Sequence, residues 1–221
     1  MSGLAERLAE VRARVEAACS RAGREPGSVT LVAVSKLKPA ALIREAYAAG
    51  QRDFGENYAQ ELRDKAEELK DLEGLRWHAI GPLQTNKVKY VARAAQAFHA
   101  LERLEVAQEL SRRRQDSPLP CYVEVNVGGE ASKSGLEPEA LGAFLESVRA
   151  LPGLRVHGLM SLPPPSEDAQ TVRGAFRTLR ELAQRHGLEG LSMGTTLDFE
   201  WAIEEGATLV RVGTAIFGER S

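Results

Sequence analysis

Thr30-Leu31-Val32-Ala33-Val34-Ser35-Lys36 is the stretch that decides the fold. Four apolar residues in a row read as a buried strand, and the lysine that follows sits at its C-terminal edge. Outward from this run, short apolar segments alternate with helical patterns along the chain. Strands are expected near 30–35, 52–54, 75–80, 97–100, 121–127, 154–160, 190–192 and 208–212. Helices are expected near 39–49, 58–71, 85–95, 103–115, 138–150, 168–187 and 197–205. Eight strands, each separated from the next by one helical segment, predict a parallel sheet. The number eight favours closure into a (β/α)8 TIM barrel over an open doubly wound sheet. A flavodoxin-like sheet is disfavoured because the first strand is not followed by a glycine-rich fingerprint.

Ahead of the first strand, Leu4, Leu8, Val11 and Val15 recur at helical spacing. They predict an extra amphipathic helix within residues 1–24, packed on the barrel. No linker is long enough to divide the chain, so a single α/β domain over 1–221 is expected. In the helix near 58–71, Glu61 and Lys65 stand four residues apart, which reads as a solvated outer face.

The bulk numbers narrow the function. With 221 residues and a net charge of −2, the chain has ample material for a core and no basic excess for nucleic acid or an anionic membrane. Cys19 and Cys121 have no ligand spacing, and His99, His157 and His186 form no metal pattern, so no metal is expected. The N-terminus lacks the apolar region of a signal peptide, and a cytoplasmic, reduced setting is the default.

Barrel chemistry sits on the loops that follow the strands. There the chain places Lys36, then Gly55-Glu56-Asn57, then His78 to Gln84. Further on come Asn126, Gly158-Leu159-Met160, Met193-Gly194-Thr195-Thr196, and Arg211 with Gly213-Thr214. A lysine against apolar walls loses hydration and becomes a free amine able to attack an aldehyde. The bland reading of Lys36 is a solvated strand-end lysine. Gly194-Thr195-Thr196 is expected to open a helix, and with Gly213-Thr214 it suggests a phosphate cup at strands seven and eight. A helix cap and a turn are the plain alternatives. Val32, Val34 and Lys36 share a face, as do Leu209, Arg211 and Gly213. An amine, a phosphate cup and an arginine at one mouth fit pyridoxal 5′-phosphate (PLP), with the arginine near the pyridine nitrogen. Asn57 is a candidate contact near Lys36. His78 is read as a packed barrel histidine, and Lys133, between Ser132 and Ser134, as a solvated loop lysine.

Several stretches resemble one family. They are Ala33-Val34-Ser35-Lys36, Phe54-Gly55-Glu56-Asn57-Tyr58, Trp77 through Lys87, Ser132-Lys133-Ser134-Gly135, Gly158-Leu159-Met160, Leu191-Ser192-Met193-Gly194 and Arg211 through Gly218. On these the chain resembles the pyridoxal-phosphate homeostasis protein family (YggS/PROSC type) over essentially its whole length. The resemblance implies a barrel like the N-terminal domain of alanine racemase (PLP fold type III), with the cofactor as a Schiff base on Lys36. It implies a role in intracellular PLP homeostasis and in amino-acid and keto-acid balance without strong turnover. Together with the strand-end reading, the expected cofactor-binding residues are Lys36, Asn57, Met193, Gly194, Thr196, Arg211, Gly213 and Thr214. Family members usually read Met-Gly-Met-Ser-x-Asp where this chain reads Met193-Gly194-Thr195-Thr196-Leu197-Asp198. Thr196 keeps a hydroxyl for the phosphate, whereas Thr195 shortens an apolar wall.

Apo PLP-dependent enzymes are the implied recipients, and a monomer is expected. The competing readings are a PLP-dependent amino-acid racemase and a Schiff-base aldolase without cofactor. Racemisation needs acid/base groups on both faces of the substrate carbon. Racemases draw one of them from a second domain, for which this chain shows no sequence.

Overall fold

A computed structural model describes residues 3–128, 134–164, 166 and 168–219. Ser132, Lys133 and Pro165 lie outside the described residues. Eight parallel strands close into a barrel in chain order: β1 (Thr30–Val34), β2 (Asp53–Glu56), β3 (Arg76–Ala79), β4 (Ala97–Leu101), β5 (Leu119–Glu124), β6 (Leu154–Met160), β7 (Gly190–Ser192) and β8 (Leu209–Val212). The seam is closed by β1 on β8, with Val32 opposite Arg211.

The outer layer runs α1 (Leu4–Arg21), α2 (Ala40–Ala48), α3 (Ala59–Glu68), α4 (Val88–Ala94), α5 (Leu104–Arg113), α6 (Leu141–Arg149), α7 (Ala169–Arg185), α8 (Phe199–Glu204) and α9 (Thr214–Phe217). Single 3-10 turns precede α4 and α6, so the helices expected from 85 and 138 begin a turn later. The α9 turn was not expected from the sequence. Strand five is shorter than expected at its end because the chain folds back. Asn126 N–H donates to Leu136 O at 2.9 Å, and Leu136 N–H to Glu124 O at 2.8 Å. No helix among the described residues is long and apolar enough to cross a membrane.

The helix α1 completes the ring. A (β/α)8 barrel needs a helix over each strand pair, and the four-residue α9 is too short to cover the β8–β1 seam. The 18-residue α1 packs against α2, α8 and α9 and fills that place. Its stripe of Leu4, Leu8, Val11 and Val15 is buried, as the spacing predicted. Arg7 Nε donates to Ile216 O at 2.8 Å, and Arg24 Nη1 to Ala207 O at 2.7 Å.

Between strands and helices lies an apolar shell that includes Phe54, Phe98, Phe176 and Phe199, all fully buried. Full burial of such a side chain contributes roughly 1.5–3 kcal/mol. Inside the barrel the character differs. Val32, Val34 and Ile80 crowd Gly55 near β1, where an added Cβ would lie 3.0 Å from both Val32 and Ile80. The rest of the interior is lined by Asp53, His78, His99, Tyr122, Glu124 and Arg211, all buried.

Candidate functional site

Strand β1 ends at Val34, so Lys36 is not a strand residue. Ser35 N–H still bonds Gly55 O at 3.0 Å, and Lys38 N–H then bonds Ser35 O at 3.0 Å, closing a turn with Lys36 at its first corner. The second corner, Leu37, has φ of 59°, a left-handed conformation that a leucine adopts only under constraint. The constraint is a buried ion cluster. Lys65 Nζ donates to Ser35 O, Glu56 Oε1 and Glu61 Oε1, each at 2.7 Å. Ser35 Oγ donates to Glu56 Oε1 at 2.6 Å, and Leu37 N–H to Glu61 Oε1 at 2.7 Å. The expected solvated pair Glu61–Lys65 is therefore corrected. Lys65 is only 6% exposed and clamps the turn that presents Lys36. Helical spacing alone cannot tell a surface pair from one trapped against strand ends. Burial pushes the Glu56 carboxyl up to about 7 despite its cationic neighbour. Lys36 itself is half-buried.

The loops after β7 and β8 are tied to each other. Gly194 has φ of 93°, and an added Cβ would sit 2.6 Å from Ala202 Cβ, so glycine is required twice over. Gly194-Thr195-Thr196 does not open the helix directly, which corrects that expectation. A turn intervenes, and α8 starts at Phe199. The reason is Asp198, whose Oδ1 accepts from Thr195 N–H at 2.6 Å and holds the turn back from the helix. Thr196 Oγ1 accepts from Gly213 N–H at 3.4 Å. Beyond it, the first N–H groups of α9, on Thr214 and Ala215, have no acceptor within their own helix. Met193 is fully buried beneath this cup.

Arg211 is buried and reaches across the interior, where Nη2 donates to Ser161 O at 2.9 Å. Burial lowers its pKa to about 10, opposed by the carboxylates of Glu124 and Asp198. Burial likewise lifts Glu124 to about 7, helped by Glu102 and opposed by Arg211. Among the described residues, the buried side-chain atoms without a hydrogen-bond partner are Glu56 Oε2, Asn57 Oδ1 and Ser161 Oγ. All three belong to the C-terminal ends of β2 and β6. An orphaned buried acceptor costs about 1–3 kcal/mol, so such atoms concentrated at one end mark a place where a polar ligand is received. The backbone of Asn57 is pinned by Gly81, where an added Cβ would come within 2.4 Å of Asn57 O.

Amine, hydroxyl-bearing cup and buried arginine thus stand on the joined strand ends of β7, β8 and β1. The family model for the alanine racemase N-terminal domain matches residues 7–221. A pyridoxal phosphate homeostasis protein of Pseudomonas aeruginosa is 52% identical, with the alignment covering 100% of this chain and 97% of that one. The chain belongs to the pyridoxal phosphate homeostasis protein family. The structure of PipY from Synechococcus elongatus with PLP bound is 37% identical, with a TM-score of 0.85 over 98% of this chain and 100% of that one. Alanine racemase from E. faecalis shares the fold at 16% identity, with a TM-score of 0.69 over 95% of this chain and 58% of that one.

The barrel interior of this family member also carries a chain of polar contacts that the sequence alone does not connect. Arg76 Nη2 and His78 Nε2 meet the Asp53 carboxylate at 2.5 and 3.0 Å. His78 Nδ1 lies 2.9 Å from His99 Nε2, and His99 Nδ1 lies 2.8 Å from Ser192 Oγ. The chain threads the barrel from the start of β2 to the end of β7, directly before Met193. Burial alone would raise the Asp53 pKa, but hydrogen bonds from His78 and Arg76 outweigh it and hold it at about 2. Burial, then His78 and Arg211, pushes His99 well down, so its ring is neutral. His78 is a packed interior histidine, as expected, and it is also a link in this relay. Glu124, Asp198 and Ser161 are the other groups missed. For Glu124 a signal existed, since Tyr122, Glu124 and Asn126 alternate polar groups onto one strand face.

Proposed function

We propose that this chain binds PLP in the barrel mouth and serves intracellular PLP homeostasis and amino-acid and keto-acid balance, without strong turnover. The observation that carries the reading is the β1–β8 register, Val32 opposite Arg211. It puts the Lys36 turn beside the Gly213-Thr214 loop. Lys36 holds the aldehyde as a Schiff base. Thr196, Gly194, Gly213 and Thr214 surround the phosphate with a hydroxyl and backbone N–H groups, a cradle that suits an anion. Met193 floors the pocket, and the Asn57 amide stands at its β2 edge, where its Nδ2 group can donate to the cofactor. The bound cofactor supplies a ring able to accept electrons from a neighbouring carbon.

Arg211 decides how far that ability is used. With a pKa of about 10 it is a cation at neutral pH. A cation beside the pyridine nitrogen disfavours protonation of the ring and weakens it as an electron sink. Such a site holds the cofactor and gives it up, and apo PLP-dependent enzymes are the natural recipients. The test is a visible spectrum of the purified protein, then borohydride reduction and peptide mass mapping. A pyridoxyl mass on Lys36, absent from Lys36→Ala, is the expected result. A protein that stays colourless and unlabelled after incubation with PLP would leave the cofactor-free Schiff-base aldolase reading in its place.

A further inference from the structure

Large apolar side chains that remain exposed are four among the described residues: Leu37 at 60%, Tyr58 at 54%, Leu162 at 50% and Leu197 at 89%. All four lie at one end of the molecule, on the loops after β1, β2, β6 and β7. With the β8 loop between them they form an arc around the mouth. Scattered exposed leucines need no explanation, whereas four large apolar side chains gathered on the loops around one mouth suit a docking surface.

We propose that this rim docks the apo form of a PLP-dependent enzyme during cofactor delivery, an inference that rests on the PLP-holding function above. Size selects the class of contact. The four side chains offer roughly 450 Å² of apolar surface. That is well short of an obligate homodimer and fits a transient encounter. A second copy docked here would also close both mouths against release. Charge selects the partner's chemistry. On the side of the rim that carries Tyr58 two acids are engaged within the chain: Glu61 accepts from Leu37 N–H and Lys65, and Glu102 from Gly135 N–H at 2.5 Å, whereas the exposed Asp168 lies on the far side, near Leu162. The outward charges beside Tyr58 are basic, on Lys87 and the exposed Arg103, which flank an open groove with Gln84. The fitting partner therefore surrounds its own empty cofactor pocket with apolar residues edged by carboxylates. Delivery is then an amine exchange. The carbon–nitrogen double bond to Lys36 Nζ breaks as one forms to the acceptor's lysine nitrogen. The two protons of the incoming amine pass to Lys36 Nζ, so no oxidant, reductant or other reactant is consumed.

The experiment mixes the PLP-loaded protein with an aminotransferase stripped of its cofactor and follows recovery of aminotransferase activity. The rate of spontaneous release is measured separately by dilution into hydroxylamine. For the native chain the transfer rate should climb with acceptor concentration above the release rate. The Leu162→Asp/Leu197→Asp variant should lose about tenfold or more of that rate and fall to the release rate. Its PLP occupancy and release rate should stay unchanged. A variant that transfers as fast as the native chain overturns the rim while leaving delivery intact. Native transfer that never exceeds release overturns delivery itself, and the rim with it. Sedimentation supplies the third arm: a native dimer abolished by the double substitution assigns the rim to a second copy and overturns the stated partner.

Discussion

Lys65 shows how much one residue can hold in place. Its ammonium satisfies Ser35 O, Glu56 and Glu61 together, and those groups fix the turn on which Lys36 rides. Lys65→Met leaves two carboxylates facing each other, one fully buried, at a cost of roughly 3–5 kcal/mol. Urea unfolding should report that loss, and Lys65→Met/Glu56→Gln should recover part of it. A loss below about 1 kcal/mol would mean that the cluster is solvated after all. Glu124 makes a separate prediction. Its pKa is raised from 4.5 to about 7, so its contribution to stability is complete below pH 4.5 and lost as the pH climbs through 7. Glu124→Gln mimics the protonated form and lacks this loss. Native stability should therefore fall relative to the variant by up to about 3 kcal/mol between pH 4.5 and 8. Parallel pH profiles for the two proteins would refute the burial argument.

At the scale of elements, the polar relay joins β2, β3, β4 and β7 through the barrel interior. Ionised Asp53 accepts from His78 Nε2–H. In the arrangement with one proton on each ring, His78 Nδ1 accepts from His99 Nε2–H, and His99 Nδ1 from Ser192 Oγ–H. One carboxylate thus sets the tautomer of two histidines. In Asp53→Asn the amide can donate instead, and the direction of the whole chain is free to reverse. Nitrogen-15 spectra should show protonated Nε2 on His99 in the native chain and a gain of protonated Nδ1 in the variant. An unchanged spectrum would mean that Ser192 or Tyr122, not Asp53, sets the tautomer.

The sequence made much of this scale legible. Strands and helices were readable because apolar runs and helical spacing alternate eight times. The placing of Lys36 and of the Gly194 and Gly213 loops just past strand ends was readable because each follows a short apolar run. The relay was not. Asp53, His78, His99 and Ser192 lie up to 139 residues apart in the numbering, and only the closed strand order brings them within hydrogen-bond distance. The Lys65 clamp was misread for a related reason. Its partners Ser35 and Glu56 belong to other elements, and helix periodicity records only Glu61.

At the scale of the whole molecule, the seam between β8 and β1 is the decisive junction. The site straddles it, and α1 covers it from outside. Leu8 is fully buried in that cover. Leu8→Ala should cost roughly 2–5 kcal/mol by cavity formation. Because α1 packs on α9 and α8, which carry the cup, the same variant should also weaken PLP retention, read as a faster release rate. Loss of stability with an unchanged release rate would separate the cover from the site.

The seam also sets when the protein can begin to work. Its two sides are tied by contacts such as Arg7 to Ile216, 209 residues apart. During synthesis α1 can meet α2 early, but the α8 and α9 faces that complete its cover follow much later. Loop closure over that span must precede the gain from its contacts, which slows folding and leaves apolar surface bare meanwhile. A nascent chain that has presented the Lys36 turn still lacks the β8 loop, and so cannot assemble both sides of the proposed mouth until β8 has followed.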